Sequence, residues 1–156
     1  MAPVVSVLVD GDSCPVPVRD VLVRAARAGR VRLEVLANRE LPGPAAEYTT
    51  RVFGRDVDSL IIEKLQLAGG NAASMLVVTR DIPLAERVLE TGAAAINDRG
   101  TVFDADSIRE RRSIRDAAEA IRVSGLESMS RNRRYGEREK RAFANALDRT
   151  LRMLAG

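Results

Sequence analysis

Apolar residues in this chain follow two rhythms that take turns. "VVSVLV" (4–9) is unbroken and rich in valine, the pattern of a strand buried on both faces. Over 15–29, Val18, Val21, Leu22, Ala25 and Ala26 recur at helical spacing. Prolines there are confined to the first turn and Gly29 closes the segment, so a helix is predicted. "VRLEVLA" (31–37) predicts a second strand, "NRELPGPAAEY" (38–48) a loop, and "TTRVF" (49–53) a short third strand. "DSLIIEKLQLA" (58–68) predicts a helix ended by Gly69 and Gly70. "SMLVVT" (74–79) predicts a strand, "IPLAERVLETG" (82–92) a helix with Pro83 in its first turn, and "AAAIN" (93–97) a last strand. A long helix over about 106–124, a polar loop over 125–136 and an amphipathic helix over 137–154 follow. Strand alternates with helix, without repeats or low-complexity tracts. The expectation is a three-layer α/β fold, a mostly parallel central sheet with helices on both faces.

That architecture locates the candidate chemistry. In open α/β sheets, ligands bind outside the carboxyl ends of the strands. Asp10 and Asp12 follow the first strand in "VDGDSCPVPV" (9–18), and Asn38 follows the second. Asp81 follows "LVVT", Asn97 and Asp98 follow the last strand, and Asp58 opens a helix. All are expected at one rim. Carboxylates that converge repel one another unless a cation neutralises them or one stays protonated. An all-oxygen donor set suits Mg²⁺ or Mn²⁺, ions that polarise a phosphodiester and lower the pKa of a bound water. A plainer role is available to each. Aspartate is a favoured helix N-cap, and Asp12, Asp58 and Asp81 all stand near helix starts, with Asp56 the better cap of its pair. Thr79 could simply cover a strand end, and Glu63 is expected to face solvent.

Composition narrows the chemistry further. The 156 residues, 46% hydrophobic and 30% charged, suit one globular domain over 1–156. No apolar run approaches the roughly 20 residues that span a bilayer. "MAPVVSVLVDGD" lacks the basic start of a signal peptide, and a cytoplasmic location is expected. Histidine is absent, which excludes His ligands, His acid/base catalysis and Ser-His-Asp triads. The lone cysteine, Cys14, forms no internal disulfide; with Arg19 it gives Cys-x4-Arg, one residue short of the cysteine-phosphatase loop, so it is expected to pack.

Charge is uneven. Residues 1–108 hold 12 Lys+Arg against 15 Asp+Glu, a net −3, while residues 109–156 hold 13 against 7, a net +6. Arg109, Arg111, Arg112 and Arg115 crowd the long helix. Arg131, Arg133 and Arg134 stand beside Tyr135 in a stretch without an acid. Guanidinium groups next to an aromatic suit single-stranded nucleic acid, RNA or DNA. The helix arginines could instead pair with Glu110, Asp116 and Glu119. The apolar stripe Phe143, Leu147, Leu151 and Leu154 could face either the core or a partner.

"VVTRDIPLAERVLETGAAAI" (77–96), with "VDSLII" (57–62) upstream, resembles the PIN-type nucleases. More closely, "DGDSCPVPV", "LAN", "DSLII", "VVTRDIPLA", "INDRG", "IRD" and "FANALDR" resemble the bacterial YaiI/YqxD family, also called UPF0178 or DUF188. The resemblance implies a PIN-like fold and a divalent-metal nuclease. Asp10, Asp58 and Asp81 match PIN acidic positions, and Asp12 is a family-specific addition. Glu63 lies offset from the mid-helix glutamate of PIN nucleases. Asp98 stands where the family often has proline, and "ESMSRNRRYG" (127–136) replaces its usual Gly-Gly-Pro-rich loop. Candidate catalytic and metal ligands are therefore Asp10, Asp12, Asp58 and Asp81. Candidate substrate contacts are Asn38, Thr79, Asn97, Arg99, Arg131, Arg133 and Arg134. A non-catalytic nucleic-acid or nucleotide binder on the same fold is the alternative. "DGDS" (10–13) also resembles the first motif of haloacid-dehalogenase-type phosphatases, with Asp10 as nucleophile, but their downstream lysine motif is missing.

Overall fold

The apolar runs pair into one sheet. A computed structural model of the chain describes residues 4–123 and 134–156. Strands β1 (Val5–Asp10), β2 (Val31–Ala37), β3 (Thr49–Arg51), β4 (Met75–Val78) and β5 (Ala94–Ile96) lie in the order β3-β2-β1-β4-β5. Every strand pairing is parallel. Helices α1 (Val16–Arg27), α2 (Val57–Ala68), α3 (Ile82–Glu90), α4 (Ala105–Val123) and α5 (Glu137–Ala155) complete the three-layer α/β fold.

Alternation along each strand divides the core in two. Val7 and Val9 of β1, with Leu33 and Val35 of β2, face a layer that holds Leu22 of α1 and Phe143, Leu147 and Leu151 of α5. Leu8 and Leu36 face the opposite layer, with Ile61 and Leu65 of α2, Leu84 and Val88 of α3 and Ile108 of α4. Covering both faces removes any need for polar residues on the central strands, which is why their sequences read as unbroken apolar runs. Phe143, Leu147 and Leu151 are buried, so the stripe of α5 belongs to the core. Truncating Phe143 to alanine is expected to cost about 3–5 kcal/mol.

Two boundaries differ from the expectation. The third strand ends at Arg51; Val52 N still donates to Ala37 O (2.7 Å), and Gly54, at φ 64°, then turns the chain and leaves Phe53 projecting outward. The second helix is capped by Asp56, whose side chain accepts from Ser59 N (3.3 Å). Asp58 therefore lies inside the first turn and does not open the helix. Among the described side chains of α4, Arg112 pairs with Glu86 of α3 (2.7 Å) and Arg109 with Asp106, while Asp116 and Glu119 lie outside them. No helix among the described residues is long and apolar enough to cross a membrane.

Candidate active site

The sheet order reverses direction between β1 and β4, and that reversal opens a crevice at the carboxyl ends of the two strands. Asp10 closes β1 on one side of it; Thr79 and Asp81 follow β4 on the other. A hydrogen-bond chain ties the two sides together. Asp81 N donates to Thr79 Oγ1 (3.0 Å), and Thr79 Oγ1 donates to Asp10 Oδ2 (3.1 Å). Ser13 Oγ donates to the same Asp10 oxygen (3.1 Å). Asp10 is only 8% exposed, and two hydroxyls fix its Oδ2. Thr79 is itself buried, so it positions Asp10 and Asp81 and does not meet a substrate.

Backbone geometry sets the neighbouring acids. Gly11 follows Asp10 because a Cβ there would stand 2.6 Å from Val35 Cγ1; the chain passes too close to β2 for a side chain. Asp12 then reaches β2, where its Oδ2 accepts from Asn38 N (2.8 Å) and its Oδ1 lies 3.7 Å from Arg39 Nε. Asp81 caps α3 by accepting from Leu84 N (3.0 Å). Asp58, released from capping by Asp56, turns its carboxyl to that of Asp81 within hydrogen-bonding reach. A cleft of about 390 Å³ is lined by Asp10, Ser13, Arg80, Asp81, Ile82 and Pro83.

Crowding shows in the acidities. Burial, then the charges of Asp81, Asp10 and Asp56, push Asp58 up to about 6. Burial raises Asp10 against the lowering effect of its Ser13 and Thr79 hydrogen bonds, and the charges of Asp12 and Asp81 raise it further. Asp10, Asp58 and Asp81 thus lie within electrostatic reach of one another at the switch point, and Asp12 within reach of Asp10. Among the described residues, no three acidic side chains are gathered tightly enough to enclose an ion together. Among these acids, Asp81 acts most strongly on Asp58. Two carboxylates are a fitting donor set for Mg²⁺, which commonly takes one or two and completes its shell with water and substrate phosphate.

The other candidates divide. Asn38 Nδ2 donates to Val52 O and Arg55 O, both at 3.4 Å, so this side chain braces the loop after β3. Asn97 Oδ1 accepts from Arg99 N (2.9 Å) and Thr101 N (2.8 Å), which shapes the turn after β5. Arg99 faces the Tyr135 ring at 5.7 Å and lies 3.8 Å from Glu139. Arg134 is exposed, and Arg131 and Arg133 lie outside the described residues. Glu63 pairs with Arg55 away from the acid pair, so it is not a further ligand of the cluster. No lysine serves the rim: Lys64 pairs with Glu34 (3.3 Å) and Lys140 lines the α1–α5 groove, which removes the haloacid-dehalogenase-type arrangement. Burial pushes the Cys14 thiol up to about 12, so it stays protonated and packs in the core.

Sequence reading missed two features. Phe53 is 71% exposed, and the Arg51 guanidinium lies 4.7 Å from its ring centroid, at the β3 edge beside Asn38. Its signal was an aromatic in a short arginine-flanked segment, "RVFGR" (51–55), masked by its apparent place in a strand. At the β5 edge, Arg80, Arg99 and Arg111 line a second cavity with Asn97, Asp98 and Tyr135. Those arginines are scattered over 32 positions of sequence, from 80 to 111, and only the fold assembles them.

The family model for DUF188, described as an uncharacterised bacterial YaiI/YqxD family, matches residues 8–153. A UPF0178 protein of Shewanella sp. strain MR-7 is 39% identical over 147 residues, 92% of each chain. One from Bordetella parapertussis is 39% identical over 153 residues, 96% of this chain and 92% of its own. A third, from Halorhodospira halophila, is 38% identical over 147 residues, 92% of this chain and 93% of its own. No solved structure is significantly similar to it. The acid cluster, the buried Thr79 and the turn after β5 all fall inside the matched span, and the chain belongs to the UPF0178 (YaiI/YqxD) family.

Proposed function

We propose that this protein is a divalent-metal-dependent phosphodiesterase that cleaves single-stranded nucleic acid, RNA or DNA. The observation that carries the reading is the gathering of Asp58, Asp81 and Asp10 at the switch point, where burial and then the charges of Asp81, Asp10 and Asp56 push Asp58 up to about 6, while Asp12 acts on Asp10. Folds do not retain such repulsion without a cation or proton to relieve it. Asp58 and Asp81, with Asp10 and Asp12 beside them, would hold Mg²⁺ or Mn²⁺. Such an ion supplies polarisation of the phosphodiester and a lowered pKa for the attacking water.

The chain's own residues do the rest. Ser13 and Thr79 occupy one Asp10 oxygen and leave Oδ1 with no hydrogen-bond partner among the described residues. Arg80, between the acid cleft and the β5-edge cavity, stands where it can meet a phosphate. Phe53 offers a ring for a base and Arg51 orients it. A strand laid across the strand ends would meet cations at both edges and acids in the middle, the charge layout that a phosphate backbone and a catalytic cation together require.

The test is incubation of the purified protein with end-labelled single-stranded RNA and DNA in Mn²⁺ or Mg²⁺, against Asp10→Asn and Asp81→Asn. Cation-dependent cleavage that both substitutions abolish is expected. Binding without cleavage by the wild type would establish the non-catalytic alternative, which the lack of a three-carboxylate cluster among the described residues favours. Cleavage that survives both substitutions would refute the site.

A further inference from the structure

We propose that the cavity at the β5 edge is a phosphate pocket that seats one nucleotide next to the acid cleft. It holds about 340 Å³ and is lined by Arg80, Arg99, Arg111, Asn97, Asp98 and Tyr135, with Ile82 and Phe103. That lies at the small end of ligand pockets, roughly 300–1,000 Å³, and suits a single nucleotide. The placement beside the cleft rests on the phosphodiesterase reading; binding of the nucleotide does not.

Charge is the first support. Three guanidinium groups line the cavity; among the described residues, Asp98 pairs with Arg80 and Glu139 lies 3.8 Å from Arg99. Arg111 is different: its Nη2 donates to Thr101 Oγ1 (2.6 Å), a neutral oxygen, and no ion pair is formed with it among the described residues. Its charge is left for a ligand. Guanidinium forks match phosphate oxygens bidentately, which makes arginine the favoured residue for this anion.

A further cation is buried in α1. Arg19 of α1 is 4% exposed, and its Nη1 is buried without a hydrogen-bond partner. Arg19, Asp98, Asp10 and Arg80 all act electrostatically on the buried Cys14 thiol. A buried guanidinium with an unsatisfied N–H carries a desolvation cost.

The remaining walls are rigid. Tyr135 donates its hydroxyl to Asp98 O (2.7 Å), and its ring faces Arg99. This gives an aromatic surface held in place for a base. Gly100, at φ 89°, lets the turn after β5 press on α5, where a Cβ would stand 2.6 Å from Ala142 O. Arg80 lines both this cavity and the acid cleft, so a nucleotide held here would present its adjoining phosphodiester to Asp10 and Asp81.

The test separates the pocket from the chemistry. Titrate adenosine 5′-monophosphate, adenosine 3′-monophosphate, adenosine and inorganic phosphate into the whole protein in chelator, by calorimetry. Saturable binding of at least one monophosphate is expected, tighter than inorganic phosphate, with adenosine much weaker. Loss of one charge-assisted contact in Arg111→Gln should weaken it about tenfold or more. Arg80→Gln should do the same, but it strands buried Asp98, so Arg111→Gln is the deciding variant. Absence of saturable binding, or equal binding by wild type and Arg111→Gln, overturns the pocket. Inorganic phosphate binding as tightly as the nucleotide overturns the nucleotide assignment. Oligonucleotides with a 5′-phosphate, a 3′-phosphate or neither, cleaved in Mn²⁺, report on the phosphodiesterase reading separately. Failure of cleavage with monophosphate binding intact removes only that reading.

Discussion

Replacing Asp58 with asparagine should make the metal-free protein more stable, and increasingly so as pH rises. Asp58 sits in the first turn of α2, faces Asp81 and is surrounded by Asp10 and Asp56, which with burial raise its pKa from 3.8 to about 6. The folded state therefore binds the Asp58 proton more tightly than the unfolded state does. Between about pH 4 and 6 stability falls as pH rises, and above the folded value the whole penalty is present. A shift of this size corresponds to about 3 kcal/mol at the outside, at roughly 1.4 kcal/mol per pKa unit. Asp58 is only partly buried, and solvent screening reduces the penalty to about 1 kcal/mol. Asparagine removes the repulsion and can donate to Asp81. It also gives up a favourable charge at the N-terminus of α2, about 0.3–1 kcal/mol.

The sign of the pH trend decides the matter more firmly than the absolute shift. Thermal unfolding in chelator, followed by circular dichroism at pH 5.0, 6.0 and 7.5, should show the Asp58→Asn melting temperature rising relative to wild type across the series. Set against the charge lost at the α2 N-terminus, the net gain is a few tenths of a kcal/mol, about 1–2 °C for a chain of this length. The same variant should lose part of the stabilisation that Mn²⁺ gives. An intact site gains about 2.7 kcal/mol at a hundredfold excess over its dissociation constant. A difference between variant and wild type that stays flat from pH 5.0 to 7.5 would show that the acids do not feel one another, and the crowding on which the site rests would be gone.

Thr79→Val keeps the shape of the side chain but strands Asp81 N and frees Asp10 Oδ2 of one donor. A loss of about 1–3 kcal/mol in denaturant unfolding is expected, with weaker cation-dependent cleavage; unchanged stability would show that the chain across the crevice is slack. Phe53→Ala should leave stability within about 0.5 kcal/mol, because the ring is exposed, while single-strand binding weakens by about 1–3 kcal/mol. Phe53→Trp should restore that binding in a fluorescence titration, and equal affinity in all three proteins would remove the ring from the interface.

Elements were legible in the sequence where one rhythm dominated. The β1 and β4 runs, the first-turn prolines of α1 and α3 and the stripe of α5 each had one reading, and the structure keeps it. The errors arose where two local signals competed. "TTRVF" satisfied strand propensity through Phe53, but the chain there answers to Gly54, whose positive φ turns the backbone away after Arg51. Asp58 looked like a helix opener because the apolar run begins after it. Asp56 caps instead and leaves Asp58 free to face Asp81, so a stability role yields to a site role. Roles inside the rim were also hidden. Thr79, Asn38 and Asn97 are correctly placed near it, yet their polar atoms hold Asp10, the loop after β3 and the turn after β5. Position along a strand predicts which rim a residue reaches, not whether its side chain is already engaged.

Charge gives the sharper lesson. Summed by sequence, the chain has an acidic body and a basic end segment, which suggested that the partner docks on the end segment. The fold sorts the same charges differently. Arg39, Arg51 and Arg55 come to the β3 side of the rim, and Arg80, Arg99 and Arg111 to the β5 side, with the four aspartates between. Five of those six arginines belong to the part with net negative charge. Phosphate attraction falls off within about a Debye length, near 8 Å in physiological salt, so local placement outweighs the sum over a segment. An acidic centre with basic flanks is self-consistent only if something positive sits over the centre when a polyanion lies across it. On the proposed reading, the acids at the centre and the arginines at both edges are met by one pair of ligands, a divalent cation and a nucleic-acid strand, each making the other's binding favourable.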